Sequence, residues 1–564
     1  MARQDHITGP AFLLVAGRTA GMVATFAIGP LFARLFSVDE MGTYKAFFLV
    51  YATLYGLAQV GMAESLYYFV PRGEARVPRY VCNAALTLLA AGLACFAGLW
   101  LWREAIAGSL NNGGLAGLLP LLGLFLTLTL VGTVLEITMI SRKQHLRAAV
   151  AYALSDLART ALFVVPALLF VSLRAVFIGA VLFAAARLAV MFVLVWRQYG
   201  AAFRPDRSLW RAQLAYALPF ALAVGIEVVL VRYHEYVVAG SFDTATYAIY
   251  AMGCMTIPLV DLIMTSTTSV MMVKMAEHST DRAEALALFH DTVARLAFLI
   301  APLAVALVVL AQPFIVALYT DVYAGSVPIF MVWALTIVPA IFAVDAVLRV
   351  YAQTRFLLVM NLVRLAFVAS LIGVFLGAFG LQGAVLVTLA ATVLAKGLAV
   401  VRIAGLWEVS LAAVLPWRTL ARVGARAGAA GVPTWAIARA FAGEPWLALV
   451  AGGTVYGITY AVLSYAHGIA EPAAIRLPVM DRLRREAARV PFIGRAFIVR
   501  HGARAAGSAV DNTAGRNPAH PNQDPISVRP VPHGGPADAP ADPVGVGRVP
   551  RSGPAAPLLV SNLE

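Results

Sequence analysis

Apolar stretches, each about as long as the roughly 20 helical residues that cross a bilayer, follow one another from Ala11 to His467 with almost nothing between them. Such a chain has little freedom. In hydrocarbon every backbone N–H and C=O must be satisfied within the segment, which a helix does. The stretches read as 11–35, 46–70, 80–102, 115–140, 149–171, 175–196, 214–238, 247–273, 290–311, 326–349, 356–378, 382–402, 421–441 and 446–467. The thirteenth, with Arg422, Arg426 and Arg439, is the least apolar. The expectation is an all-α integral membrane protein of about 14 transmembrane helices. Composition agrees, since 61% hydrophobic and 13% charged residues, with a mean hydropathy of +0.81, exceed what a water-soluble globule carries.

A formal charge of +14 would suggest nucleic acid in a soluble protein. Here the cations gather in short gaps between apolar stretches, where they set orientation, so no nucleic-acid partner is expected. Alternate gaps carry Arg72, Arg76 and Arg79; Arg142, Lys143 and Arg147; Arg197, Arg204, Arg207 and Arg211; Lys274 and Arg282; Arg349 and Arg355; then Arg402 and Arg418. The opposite gaps offer only Lys45, Arg103 and Arg174. Because basic residues are retained in the cytoplasm, this alternation places both termini inside and requires an even number of spans. The polar Met1 to Pro10 leads into a retained first span, without the small-residue cleavage pattern of a signal peptide.

Cys82, Cys95 and Cys254 all lie inside apolar stretches, so no disulfide framework and no metal site is expected. No Walker A loop occurs, no cofactor is implied, and transport would run on an ion gradient, the membrane potential or mass action. After His467 the segment 471–501 is basic and amphipathic, suited to an anionic inner leaflet. Residues 502–564, rich in Pro, Gly and Ala, read as a disordered cytoplasmic tail.

An internal repeat is visible. Ser37, Asp39, Thr43 and Tyr44 after the first span match Ser241, Asp243, Thr246 and Tyr247 after the seventh, with one gap. Six intervening spans would make the halves parallel copies about an axis along the membrane normal.

The run Leu35 to Tyr44 followed by a span containing Gly61 resembles the opening of the Wzx-type polysaccharide exporters, flippases of the MOP superfamily; Tyr319 to Gly325 and Gly380 to Ala384 are similar to later landmarks of that family. The resemblance covers about residues 10–405 and implies an N-terminal six-helix lobe (1–200) and a C-terminal six-helix lobe (201–405); the two additional spans read from the apolar pattern (406–470) lie outside it. It further implies a central cavity opening to each face of a bacterial inner membrane, a lipid-linked oligosaccharide on undecaprenyl diphosphate as cargo, and no enzymatic activity. It places the chain in surface polysaccharide or lipopolysaccharide biosynthesis, with glycosyltransferases and a polymerase as partners.

Ionisable groups inside spans are costly and usually face a cavity or a partner. Near mid-span are Arg18, Asp156 with Arg159, Arg187, Glu227 and Asp261; nearer the cytoplasmic ends are Glu64, Glu136, Asp345 with Arg349, Arg364 and Lys396. A diphosphate needs its charge compensated on the way, and planar, permanently charged guanidinium suits phosphate oxygens. Arg18, Arg159 and Arg187 are the candidate diphosphate ligands. Against that, Arg159 can neutralise itself on Asp156 one turn away, while Arg18 and Arg187 can pair elsewhere in the bundle. Glu227 and Asp261, on consecutive antiparallel spans, are candidates for a proton or sodium site if they face each other; otherwise Glu227 pairs with Arg232 or another arginine. Pro258 and the Gly29–Pro30 pair are expected to break their spans. Two rival readings are an ion-coupled multidrug exporter of the same superfamily, and a membrane glycosyltransferase or ligase using Asp39 and Glu40.

Overall fold

The computed structural model describes residues 24–73, 76–141, 145–277 and 281–466, with the side chains of 73, 135–141, 145–154 and 466 left aside. Arg18, the basic segment 471–501 and the tail 502–564 lie outside the described residues. Within them the regular structure is all helix. The helices are α1 (Ala24–Leu35), α2 (Val38–Ala58), α3 (Met62–Gly73), α4 (Val77–Leu101), α5 (Arg103–Ser109), α6 (Leu119–Ser141), α7 (His145–Phe170), α8 (Leu173–Tyr199), α9 (Arg207–Ser241) and α10 (Thr244–Gly253). There follow α11 (Pro258–Glu277), α12 (Arg282–Val309), α13 (Ala311–Tyr319), α14 (Val327–Leu335), α15 (Val344–Val350), α16 (Thr354–Phe379), α17 (Leu381–Trp407), α18 (Leu411–Val414), α19 (Trp417–Ala440) and α20 (Pro445–Ala466).

Nine described helices are long and apolar enough to cross a membrane, or ten when α2 and α3, bent by 42°, count as one broken span. That is fewer than the expected fourteen. The first span is described only from Ala24, and α19 is a 24-residue helix whose arginines keep it out of the apolar class. The bend between α2 and α3 comes at Gly61, whose φ of +65° an L side chain rarely adopts and whose missing Cβ would sit 2.7 Å from the Ala217 carbonyl oxygen.

Two details depart from the sequence reading. Ser37 to Tyr44 is mostly the first turns of α2, because Ser37 and Glu40 close a capping box: the Ser37 N–H donates to the Glu40 carboxylate at 2.9 Å and the Glu40 N–H to Ser37 Oγ at 3.3 Å. Glu40 is thereby occupied structurally, and Lys45 sits on a helix. The Gly29–Pro30 pair also fails to break α1, which runs through it. One proline removes one hydrogen bond; Pro166, Pro219, Pro302 and Pro433 lie inside helices in the same way. Pro258 does coincide with a break, between α10 and α11.

Two apolar cores fill the bundle. The first is centred on aromatic rings of the first half, with Phe47 stacked on Phe177 at 3.7 Å; the second joins α11, α12, α15, α17 and α19 around Phe289 and Trp407. Among the described residues α9 and α10 carry much of the packing between the halves. α9 lies on α2, α3 and α4 as well as on α16 and α17, and α10 packs along α2. The repeated segments therefore meet. A Cβ on Gly42 would lie 2.2 Å from the Thr244 carbonyl oxygen, and the Asn111 side chain donates to the Gly240 carbonyl at 2.8 Å while Thr244 Oγ1 donates to the Asn111 carbonyl at 3.1 Å. Their caps are out of register: Ser37 caps α2, whereas Asp243, the counterpart of Asp39, caps α10.

The start of α9 is clamped to α4. Asn83 and Asp206 exchange side-chain-to-backbone hydrogen bonds of 2.9 and 3.0 Å, and Arg79 pairs with the Asp206 carboxylate at 3.1 Å. The Ser208 hydroxyl above all, then the Leu209 N–H and Arg79, hold the Asp206 carboxyl down to about 2. A carboxyl depressed in the fold stabilises fully above its unfolded value of about 3.9 and loses that contribution as pH falls toward 2. Asp206→Asn, which keeps the cap acceptor, is expected to flatten the fall in thermal stability between pH 4 and pH 2 in detergent. A second prediction concerns the junction of the halves. Gly42→Ala forces backbone apart at Thr244 and should cost about 1–3 kcal/mol, read as a lowered Tm, whereas Gly29→Ala, with open space around it, should leave Tm within error.

Candidate functional site

Charge enters the first half on two packed neighbours, α7 and α8. On α7, Arg159 lies 3.3 Å from Asp156, one turn earlier, so the local pair expected from the spacing forms. The pair leaves much of the guanidinium free to act elsewhere. Its Nη2 donates to Thr25 Oγ1 on α1 at 2.8 Å, and its buried Nε has no hydrogen-bond partner among the described residues. On α8, Arg187 is partly buried with its guanidinium 6.0 Å from the Phe183 ring centre. The charges of both are felt weakly at the fully buried Tyr51 hydroxyl of α2, and that of Arg187 also at Tyr55. Tyr55 shares a 2.9 Å hydrogen bond with Thr133, and Glu64 of α3 acts on it as well. Thus Arg159 and Arg187, 28 positions apart in sequence, share one hydroxyl-lined neighbourhood. Arg18, the third candidate, falls outside the described residues.

The second half holds a different cluster. Lys396 on α17 pairs with Asp345 on α15 at 2.5 Å. Arg364 on α16 donates to Thr392 Oγ1 at 3.1 Å and feels the charge of Asp345 and, more weakly, that of Glu227 on α9. Glu227 is exposed on α9, and Arg232 bonds Glu235 at 3.0 Å. Asp261 sits half-buried in the first turn of α11. The helices of the two carboxylates keep different company, α9 packing on α16 and α17, α11 on α12 and α15. Glu227 forms no ion pair among the described residues, and its charge is felt at Arg364, 137 residues on, only at long range.

A third group escaped the sequence reading. His234 is buried with its Nδ1 2.6 Å from the Tyr250 hydroxyl and its ring 5.7 Å from Trp333. Trp333 in turn donates from Nε1 to the Met255 carbonyl at 2.9 Å, inside the α10–α11 break. The indole supplies the donor that the interrupted helix lacks. In the sequence His234 stands among Arg232, Tyr233, Glu235 and Tyr236, and nothing local announces its partners. At the end of α1, Arg34 reaches the carbonyls of Ala317 and Leu318, beside a cavity of about 400 Å³ that it lines with Ser37, Thr320 and Tyr323. That arginine is a brace between α1 and α13.

Among the described residues no cluster of His, Cys, Asp and Glu could hold a metal ion. What the arrangement offers is fixed positive charge, hydroxyls and aromatic rings within apolar helices. Such a lining can hold an anionic group by charge-assisted hydrogen bonds without breaking any bond in it.

The arrangement of helices has counterparts among known proteins. The solved structure of the lipid II flippase MurJ in an inward closed conformation superposes with a TM-score of 0.64 at 12% identity, over 80% of this chain and 98% of that one. A multidrug resistance MATE transporter of the MOP superfamily, inward-facing, gives 0.53 at 15% identity, over 69% of this chain and 96% of that one. A point mutant of the Vibrio cholerae MATE transporter VcmN gives 0.50 at 12% identity, over 71% of this chain and 97% of that one. At such identities the likeness is one of fold, and the fold is that of MOP transporters. No curated protein matches the chain. Residues 31–328, more than half of the sequence, match the family described as polysaccharide biosynthesis protein, and the chain belongs to that family.

Proposed function

We propose that this protein moves a lipid-linked oligosaccharide between the leaflets of a bacterial inner membrane, holding the cargo by its diphosphate. The observation that carries the reading is the placement of Arg159 and Arg187 on the packed helices α7 and α8 of the first half, with Arg159 reaching across to Thr25 of α1. Guanidinium stays charged in any protein environment, so placing it in a span is costly unless the charge is used. A diphosphate uses it well, because bidentate N–H···O contacts match guanidinium geometry and the negative charges offset the cost of both partners' desolvation. Arg18, seven residues before Thr25, to which Arg159 donates, is the third proposed ligand. Membership of a polysaccharide biosynthesis family supports the glycan, and the alternation of basic gaps supports cytoplasmic termini.

Glu227 and Asp261 are proposed to take a proton or sodium ion during the cycle. α9, which carries Glu227, packs on α16, which carries Arg364, so a change of charge at Glu227 would act at that helix contact. The MATE-like fold keeps a drug-exporter reading in play, and cationic drugs would favour these carboxylates over the arginines.

The experiment separates the two. Arg18→Ala, Arg159→Ala and Arg187→Ala should each cut surface glycan display by about ten-fold or more, the equivalent of one charge-assisted contact, with protein abundance in the membrane unchanged. Arg→Lys should restore part of it. Normal glycan in all three variants, with altered drug susceptibility in Glu227→Gln, would establish the exporter instead.

A further inference from the structure

α19 carries more charge than any helix around it, and the charge has a direction. Arg418, Arg422 and Arg426 recur every fourth residue, so they form one ridge about 12 Å long at the helical rise of 1.5 Å per residue. Val423, Ala427, Ala430 and Thr434 form the buried face, turned to the body of the protein; α19 packs on α12 and α20. Arg418 and Arg422 are exposed, and Arg426 lies at the border of the buried face.

Cations near the α17–α19 connection are otherwise paired: Arg282 with Glu408, and Arg402 with the Gln353 amide oxygen at 2.7 Å. The ridge arginines differ. None makes an ion pair or hydrogen bond among the described residues, and Arg426 Nη1 is buried without a partner. Beside the ridge run Ala421, Gly424, Ala425, Gly428 and Ala429, exposed and small, and Cβ atoms added at Gly424 and Gly428 would meet nothing within 4 Å. The level in the membrane is marked by aromatic side chains. Trp417 is 51% exposed at the start of α19, and at its far end Trp435 lies under Arg439 at 4.4 Å. Tryptophans of this kind sit at the headgroup level. The ridge thus begins at one interface and descends about two turns.

We infer that the Arg418–Arg422–Arg426 ridge of α19 binds the phosphate headgroup of an anionic phospholipid, its acyl chains lying along the adjoining small-residue face. Three unpaired guanidinium groups running inward from headgroup depth complement a phosphodiester, and a smooth neighbouring strip admits chains where larger side chains would bar them. This site is independent of the cargo proposed above and stands whatever the protein transports.

The test is native mass spectrometry of the delipidated full chain in detergent, titrated with phosphatidylglycerol or phosphatidylcholine. The wild type is expected to bind phosphatidylglycerol at about ten-fold lower concentration. R418Q/R422Q/R426Q should bring the preference to about two-fold or less, and the corresponding triple Lys variant should keep most of it. If the triple Gln variant does not fold, the exposed pair R418Q/R422Q carries the same reading with a smaller shift, of about three-fold. An undiminished preference in the Gln variants overturns the site. Displacement of phosphatidylglycerol by millimolar inorganic phosphate also overturns it, since the ridge would then recognise a free anion.

Discussion

Permanent charge placed within apolar helices is the constraint around which this molecule is organised. A carboxylate or lysine caught in hydrocarbon can shed its charge; arginine cannot, so each guanidinium must be met by a carboxylate, a dipole, water or a ligand. In the first half, Arg159 is partly met by Asp156 and Thr25. In the second, Lys396 is met by Asp345, and Arg364 leans on Thr392. The first half thus presents guanidinium toward hydroxyls, and the second binds its cations more closely to carboxylates. The proposed division of labour, cargo in one half and coupling in the other, rests on this asymmetry between two similarly laid-out halves.

Such an asymmetry works only if the halves can respond to each other, and the packing limits where they do. α9 and α10 provide much of the contact between them. α10 lies against α2 so closely that residue 42 must be glycine-sized, and a short distance along the chain α10 stops at the break whose free Met255 carbonyl is held by Trp333. On the other side, α9 carries both Glu227, whose charge is felt at Arg364 at long range, and His234, in contact with Tyr250 of α10. A change of charge at Glu227 therefore acts on the helix that also joins the halves.

Much of the fold was legible because its main signal is one-dimensional. Apolar length and the side of the basic gaps place helices without any knowledge of their packing, and the superfamily followed from layout. Charged residues in the spans stand out against their surroundings, so Arg159, Arg187 and Glu227 were visible, as was the Asp156 pair one turn from Arg159. Helix starts were less legible: the capping box at Ser37 begins α2 well before the apolar run does, turning an apparent loop into helix. Least legible were the cross-helix partners. Arg364 with Thr392, or Trp333 with Met255, depends on how each helix is rotated about its axis, and a helix apolar on every face gives no periodicity from which to read that rotation.

α19 shows the same reasoning from the other side. Its arginines made it the weakest of the fourteen expected spans, because a strip of charge lowers mean hydropathy however regularly it is spaced. Yet the spacing confines that charge to one face, and the opposite face packs tightly enough to bury Val423, Ala427 and Ala430. A helix can therefore belong to the bundle without being apolar, provided its charged strip runs beside the face it buries. The feature that obscured its place in the membrane is the one that gives it a surface for an anionic lipid.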